Sequence, residues 1–228
     1  YDLDMVNSAP TIVTQWIDRL NREGVMNCEI EALRDYKDNR ERWFAEICEY
    51  HCCEKGDVKK MVCAVLNGGY PHLKDFKKNP YRIHPWLRRL GDEMKVVHGE
   101  VLHAFRDEYK DLIKRKREEK VTDEEVARSV FATLSFDEEN RCLMCLYNFL
   151  IKSVVMVWSL IFDGCIVDRC SDGLIDEAQK HVLEQTGYEI RLAVKPLHGL
   201  QNSPIHELEC IKHIVPVLLL HLLSKRRI

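Results

Sequence analysis

Val155-Met-Val-Trp-Ser-Leu-Ile-Phe-Asp-Gly-Cys-Ile-Val-Asp168 sets two apolar runs on either side of Phe162-Asp163-Gly164. The first run, Val154 to Ile161, is β-branched and aromatic; the second, Cys165 to Val167, is short. An Asp-Gly pair between such runs predicts a hairpin, because the turn needs residues that tolerate positive φ. Asp163 then sits at the tip of an otherwise buried hairpin. It either forms the turn or holds a divalent metal, and the hairpin alone favours the turn. Two stretches in the first third of the chain bear on that choice.

Tyr1-Asp-Leu-Asp-Met-Val-Asn7 alternates polar and apolar residues, which predicts a strand with Asp2 and Asp4 on one face. Ser8 is placed to cap a following helix and Pro10 to occupy its first turn. The helix is expected from about Thr11 to Glu23, with Val13, Trp16, Ile17 and Leu20 as its apolar stripe and Gly24 as its stop. Carboxylates at a strand end just before a helix are a common way to place metal ligands. A solvated strand face accounts for Asp2 and Asp4 equally well.

Lys55-Gly-Asp-Val-Lys-Lys-Met-Val-Cys-Ala-Val-Leu-Asn-Gly-Gly69 predicts a helix capped by Asp57 and ended by Gly68-Gly69. Lys55, Lys59, Cys63 and Asn67 recur every four residues and share one stripe. Lysines so spaced can grip a polyphosphate, and the terminal glycines let a base or a second strand approach closely. A solvated lysine face with a glycine C-cap is the simpler reading of the same residues.

The chain of 228 residues is large enough for one sizeable domain or two small ones, and its 46% apolar and 31% charged residues are ordinary for a globular protein. A net charge of −3 gives no global basic field, so any nucleic-acid contact must come from local patches. The ten cysteines are scattered through apolar patterns, which fits free core thiols in a reducing, intracellular compartment better than a disulfide framework. Cys48, His51, Cys52 and Cys53 have no second Cys/His pair at zinc spacing, and Cys142-Leu-Met-Cys145 has no partner pair. The start at Tyr1, directly on a motif, reads as a fragment or excised domain.

The remaining chain is mostly helical. Glu29 to Cys53 follows helical spacing. Tyr70 to Pro85 is a loop whose cations (Lys74, Lys77, Lys78, Arg82) and aromatics (Phe76, Tyr81) suit nucleic acid or plain solvent. Trp86 to about Glu119 reads as a long helix, interrupted at most near Gly99. Thr122-Asp-Glu-Glu125 is a capping box opening a short helix, and Ser135 opens the next, Glu138 to Ile151. Gly173 to Thr186 is a helix ended by Gly187, and Tyr188 to Val194 alternates as a strand. Ile205 to Leu223 is apolar and helical with a kink at Pro216; its charges and histidines argue against a membrane span.

Strand-Asp-helix (Tyr1 to Pro10), a Lys-bearing helix ending in Gly (Lys55 to Gly69) and a hairpin with Asp at its tip (Leu160 to Val167) stand in an order that resembles motifs A, B and C of family-A DNA polymerases, in divergent form. The likeness is to the short family-A-like polymerases of mobile elements and large DNA viruses, and it spans roughly residues 1–195. By position, Asp4 is similar to the motif A metal-binding aspartate, with Asp2 as the competing choice. Lys59 is similar to the motif B lysine on the incoming triphosphate, and Lys55 stands where the family has an arginine. Asn67-Gly68 stand where it has Tyr-Gly. Asp163 is similar to the motif C aspartate, but Phe162-Asp163-Gly164 replaces His-Asp-Glu, so the histidine and the second carboxylate are missing. Glu139 and Asn140 lie where the family has a glutamine-containing template-strand motif.

The resemblance implies an α+β, helix-rich, polymerase-like palm with a small antiparallel sheet and a helical fingers region. Residues 1–54 and 135–200 would form the palm, 55–134 the fingers-like part and 201–228 a C-terminal apolar helix. The implied activity is template-directed transfer of a nucleotide to a primer 3′-OH, a two-metal phosphoryl transfer with Mg2+ or Mn2+ on Asp4 and Asp163. Its partners would be primer-template nucleic acid and a nucleoside triphosphate, with no membrane, and a protein partner through 205–228. The alternatives are a catalytically inactive palm-derived module that binds nucleic acid or serves assembly, and a helical interaction domain in which the three motifs coincide by chance. The first two require Asp4 and Asp163 on adjacent strands; the third does not.

Overall fold

The computed structural model describes residues 1–195 apart from 72, 75 and 120; the helix expected over 205–228 lies outside the described residues. The fold is α+β: seven helices and a four-stranded antiparallel sheet among the described residues. β1 (Asp2–Met5) leads into α1 (Ser8–Arg22), α2 (Glu31–His51), α3 (Lys55–Leu66), α4 (Pro85–Ala104), α5 (Lys110–Glu118) and α6 (Asp123–Lys152). The hairpin β2 (Val157–Ile161) and β3 (Gly164–Val167), then α7 (Asp172–Thr186) and β4 (Leu192–Lys195), complete it.

The sheet order is β2-β3-β1-β4, so the strand with the first aspartates and the second strand of the hairpin are its two central members. Alternation decides which face is covered. Leu3, Met5, Cys165 and Val167 are buried, while Asp2 and Asp4 point to the other face and are half-exposed. Apolar side chains take the covered face because only there is their surface removed from water.

α6 is the spine. Its 30 residues extend about 45 Å, and it touches α1, α4, α5, α7 and β2. The capping box at Thr122 and Glu125 starts it as expected, but Ser135 does not start a new helix. The chain passes through Ser135 without a break and leaves its hydroxyl buried with no partner. Buried Val130, Phe131 and Leu134 before it and Cys142, Leu143 and Leu146 after it hold one continuous helix, and this packing outweighs the local cap signal.

The long helix expected over residues 86–119 is instead two. It breaks at Phe105–Tyr109 rather than at Gly99, where Phe105 brings its ring to 6.1 Å from that of Trp16. α2 is kinked at Asn39 (φ −123°, ψ 32°). α3 is capped not by Asp57 but by Glu54, with Asp57 completing a capping box from inside the first turn. Tyr188 and Ile190 are buried as the alternation predicts, yet strand pairing begins only at Leu192.

His98 on α4 is 3% exposed. Its Nε2 lies 3.0 Å from the carbonyl of Leu66, which can only accept, so Nε2–H donates. Burial, helped by Arg128, pushes its pKa from 6.5 down to about 4. The unfolded chain therefore binds more protons than the folded one between these values. Stability should be highest above pH 6.5 and fall on acidification towards pH 4, by about 3 kcal/mol from this group. Urea melts at pH 7 and pH 4.5 check this: His98→Gln should lose less stability between the two than the parent, and an equal loss would contradict the assignment.

Candidate metal and nucleotide site

The β1–β3 ladder pairs Asp2 with Ile166, Leu3 with Cys165 and Asp4 with Gly164. Asp163 immediately precedes Gly164, and its carbonyl accepts from the Met5 amide at 3.2 Å. Asp4 on β1 and Asp163 at the tip of the β2–β3 hairpin therefore stand one residue apart in the β1–β3 register, so two stretches distant in sequence meet. Asp2 lies two residues further from the tip, about 7 Å along the strand. That makes Asp4 the partner of Asp163.

The turn is built differently from an Asp-Gly turn. Ile161 pairs with Gly164, which leaves Phe162 and Asp163 as the loop. Phe162 takes the left-handed conformation (φ 50°) and is 94% exposed. Gly164 is required for another reason: a Cβ there would lie 2.5 Å from the Leu3 carbonyl oxygen and 2.9 Å from Asp4 Oδ1. The missing side chain is what lets β1 and its carboxylate close on the hairpin tip.

Ser8, expected as a helix cap, has another task. Asn7 in the left-handed region precedes α1 with no side-chain cap, and the Ser8 hydroxyl donates to Asp163 Oδ2 at 2.5 Å. Lys195 donates to Asp4 Oδ2 at 2.6 Å. Among the described residues this leaves Asp4 Oδ1 and Asp163 Oδ1 without hydrogen bonds.

A cleft of about 610 Å³ opens beside Asp163, lined by Lys59, Phe136, Asp137, Glu139, Asn140 and Phe162. The α3 stripe is exposed throughout, as its spacing predicts, but only Lys59 of its members reaches the cleft. Among the described residues Lys59 forms no ion pair, whereas Lys55 pairs with Glu41 at 2.8 Å and Lys60 with Asp57. Asn67 donates to the Cys63 carbonyl at 2.8 Å. Gly68 (φ +70°) packs against Arg128 and His98 and lines a different cavity: Arg128 donates to its carbonyl, and a Cβ would meet Arg128 Cδ at 2.5 Å and His98 Cε1 at 2.9 Å. Lys55, Asn67 and Gly68 thus lie outside the cleft wall, while Lys59 and Asp163 share it.

Glu139 is half-buried in the same wall, and its pKa is raised by burial and by the charge of Asp163, with the Ser8 hydroxyl opposing. It was only loosely marked by its position in the sequence. Ser8 and Lys195 were missed as site residues. Lys195 could have been found by extending the alternation of the last strand one residue, which sets it opposite Asp2 and on the aspartate face.

A hard divalent cation suits this donor set. Mg2+ prefers carboxylate oxygen and is commonly held by one or two carboxylates, with water and substrate phosphates filling the other positions. Among the described residues no three His, Cys, Asp or Glu side chains are grouped to hold a metal unaided. The Asp4–Asp163 pair keeps an unpaired oxygen on each carboxylate, while the Lys195 ammonium seated on Asp4 neutralises part of the charge a cation would meet. The Cys48–Cys53 region is of another kind: its thiols are free, and burial raises the Cys53 pKa to about 12. Among the described residues no helix is long and apolar enough to cross a membrane.

Over 206 residues, 86% of this chain, the sequence is 24% identical to a protein of Sputnik virophage named "Putative helicase V13". The match takes in 24% of that protein, so the chain spans about a quarter of the relative's length. No family model matches the chain, and no solved structure matches it.

Proposed function

We propose that this chain carries the nucleotidyl-transfer site of a virus-encoded, template-directed DNA polymerase-like enzyme. The observation that carries the reading is the convergence of Asp4, on a central strand, with Asp163, at the tip of the hairpin beside it, and the unpaired cation Lys59 on the wall of the adjoining cleft. Asp4 and Asp163 would hold Mg2+ or Mn2+, which supplies charge neutralisation at the reacting phosphate and lowers the pKa of the attacking 3′-OH.

The chain's own groups do the rest. Ser8 fixes Asp163 and Lys195 fixes Asp4, so both carboxylates are oriented before a ligand arrives. Lys59 would bind the triphosphate. The cleft wall also carries Asp137, Glu139 and Asp163, and such a wall repels a polyanion unless a cation joins it. Phe136 and Phe162, 68% and 94% exposed, offer base-stacking faces at its mouth in place of the aromatic that Asn67 does not supply. Glu139 brings a carboxyl from α6 to a site whose hairpin has Gly164 in place of a second acid.

The virophage relative supports a nucleic-acid enzyme of viral type. The present 228 residues contain no G-x-x-x-x-G-K-[ST] run, the phosphate loop of P-loop motors, so a motor role finds no support in them. An inactive palm-derived module is the second reading. It draws on the Lys195–Asp4 ion pair, which neutralises one of the two carboxylates, and on the Gly164 substitution.

Lys59→Ala tests the nucleotide role. It should weaken nucleotide binding about 10- to 100-fold, the loss of one charge-assisted contact, while primer-template affinity changes by less than about 3-fold. Equal losses of both, measured by filter binding, would place Lys59 on the nucleic acid instead.

A further inference from the structure

The α4–α5 junction bears a row of cations that the proposed site does not use. Arg106 precedes α5, and Lys110, Lys114 and Arg117 follow on one face of that helix. All four line one shallow hollow of about 460 Å³, with Asp107 and Glu118 also in its wall. The floor is fixed: Ile113, 5% exposed, anchors α5 to the core. Lys110 and Lys114 are one turn apart, about 6 Å. Among the described residues Arg106, Lys110 and Lys114 form no ion pair, while Lys116 and Arg117 pair with Glu119 and Asp123.

The hollow and the cleft share no lining residue, and one hydrogen bond links them. Tyr109, the residue before Lys110, donates its hydroxyl to Asp137 Oδ2 at 3.4 Å, and Asp137 lines the cleft beside Lys59 and Asp163. Exposed cations that repeat once per turn along a concave wall match a polyanion lying lengthwise on the helix. We infer that the Arg106–Lys110–Lys114 row is a phosphate track for a single nucleic-acid strand passing between the cleft and the outer end of α5. Within the hollow the cations stand in single file, which suits one backbone rather than the two of a duplex. This inference rests on the nucleic-acid part of the proposed function and not on catalysis.

The test uses the whole chain and a labelled single-stranded oligonucleotide of about 20 nucleotides, with binding followed by fluorescence anisotropy over a salt series. Each phosphate neutralised adds about 0.7 to the slope of log affinity against log salt for a single strand. Removing three cations (Arg106→Gln, Lys110→Gln, Lys114→Gln) should lower that slope by about 2 and weaken binding at low salt. The charge-preserving triple Arg106→Lys, Lys110→Arg, Lys114→Arg should keep both. Removing three charges elsewhere (Lys60→Gln, Lys95→Gln, Lys180→Gln) should change the slope by less than half as much.

An unchanged slope in the first triple variant, with unaltered melting, would overturn the track. So would an equal loss in the distant triple, or a duplex that binds as tightly and with the same dependence on Arg106, Lys110 and Lys114. A parent chain that binds no oligonucleotide at all would overturn both the track and the nucleic-acid reading. A track that behaves as expected in a chain that incorporates no nucleotide would leave the inference standing and remove the catalytic proposal alone.

Discussion

Asp163→Asn should abolish metal-dependent nucleotide incorporation while leaving the fold intact. The substitution keeps the size of the side chain and an oxygen to accept the Ser8 hydroxyl, now 2.5 Å from Oδ2. The backbone has no reason to move, because the left-handed residue of the turn is Phe162, not Asp163. What disappears is one of two charges facing the proposed cation. Removing a single preorganised electrostatic partner typically costs about 10²- to 10³-fold in rate, and a site with only two carboxylates should lose at least that. The melting temperature should stay within a few degrees, since about 1 kcal/mol moves it only about 2–4 °C in a chain of this size. Gel-based primer extension and thermal melting on the same preparations check both halves. Retained incorporation would remove Asp163 from the site, and a large fall in melting temperature would make its role structural.

The second large effect is expected at Gly164. In Gly164→Ala the added Cβ would sit 2.5 Å from the Leu3 carbonyl oxygen and 3.1 Å from the Asp4 Cα, both parts of the neighbouring backbone. β1 cannot step aside, because it is held between β3 and β4, with Asp4 paired to Gly164 on one side and to Ala193 on the other. Overpacking against rigid neighbours costs about 1–3 kcal/mol, or roughly 3–10 °C in melting temperature. Whatever displacement relieves the clash falls between β1 and the hairpin tip and parts Asp4 from Asp163, so incorporation should fall further than the lost stability explains. Gly56→Ala is the control: nothing lies within 4 Å of its Cβ position, and it stands in the first turn of α3. It should be neutral or stabilising by up to about 1 kcal/mol. Restoring a carboxylate with Gly164→Glu should fail in the same way as alanine, since the obstruction begins at Cβ. A Gly164→Ala protein with parental melting and activity would refute the close-approach account.

Elements whose side-chain period matches their surroundings were legible in the sequence. Leu3 and Met5 against Asp2 and Asp4, the Val13–Leu20 stripe and the Gly187 stop each read directly as strand, helix and helix end, and the structure places them so. Elements decided by packing were not. No glycine or proline marks the break at Phe105–Tyr109; it goes with the Phe105 ring meeting Trp16. Ser135 carries the local signal of a helix start yet lies within α6 with its hydroxyl buried, where contacts with α1, α4 and α7 dominate.

The candidate site divides the same way. Asp4 and Asp163 could be picked out because each is a polar residue at a fixed place in a short apolar pattern, and their juxtaposition follows from the sheet order. Ser8 looked like a cap because serine before a helix usually is one. Its bond to Asp163 spans 155 residues and depends on the tertiary fold. Glu139 reaches the site from α6 with only its position to mark it, and Lys195 from β4, where the strand alternation carried one residue further would have placed it on the aspartate face. Among the α3 residues, Lys59 is singled out by the cleft wall and Lys55 removed from it by Glu41, and helical spacing could not separate the two.

Asp4 and Asp163 are proposed as the metal-dependent site of a template-directed nucleotidyltransferase. Single-nucleotide extension of a labelled primer on each of four templates, with Mg2+ or Mn2+ and with chelator, tests it most directly. The primer should gain the nucleotide complementary to the template, only with metal, and not in Asp4→Asn or Asp163→Asn. No extension by the folded parent chain with either metal, or extension that ignores the template and survives both substitutions, would contradict it.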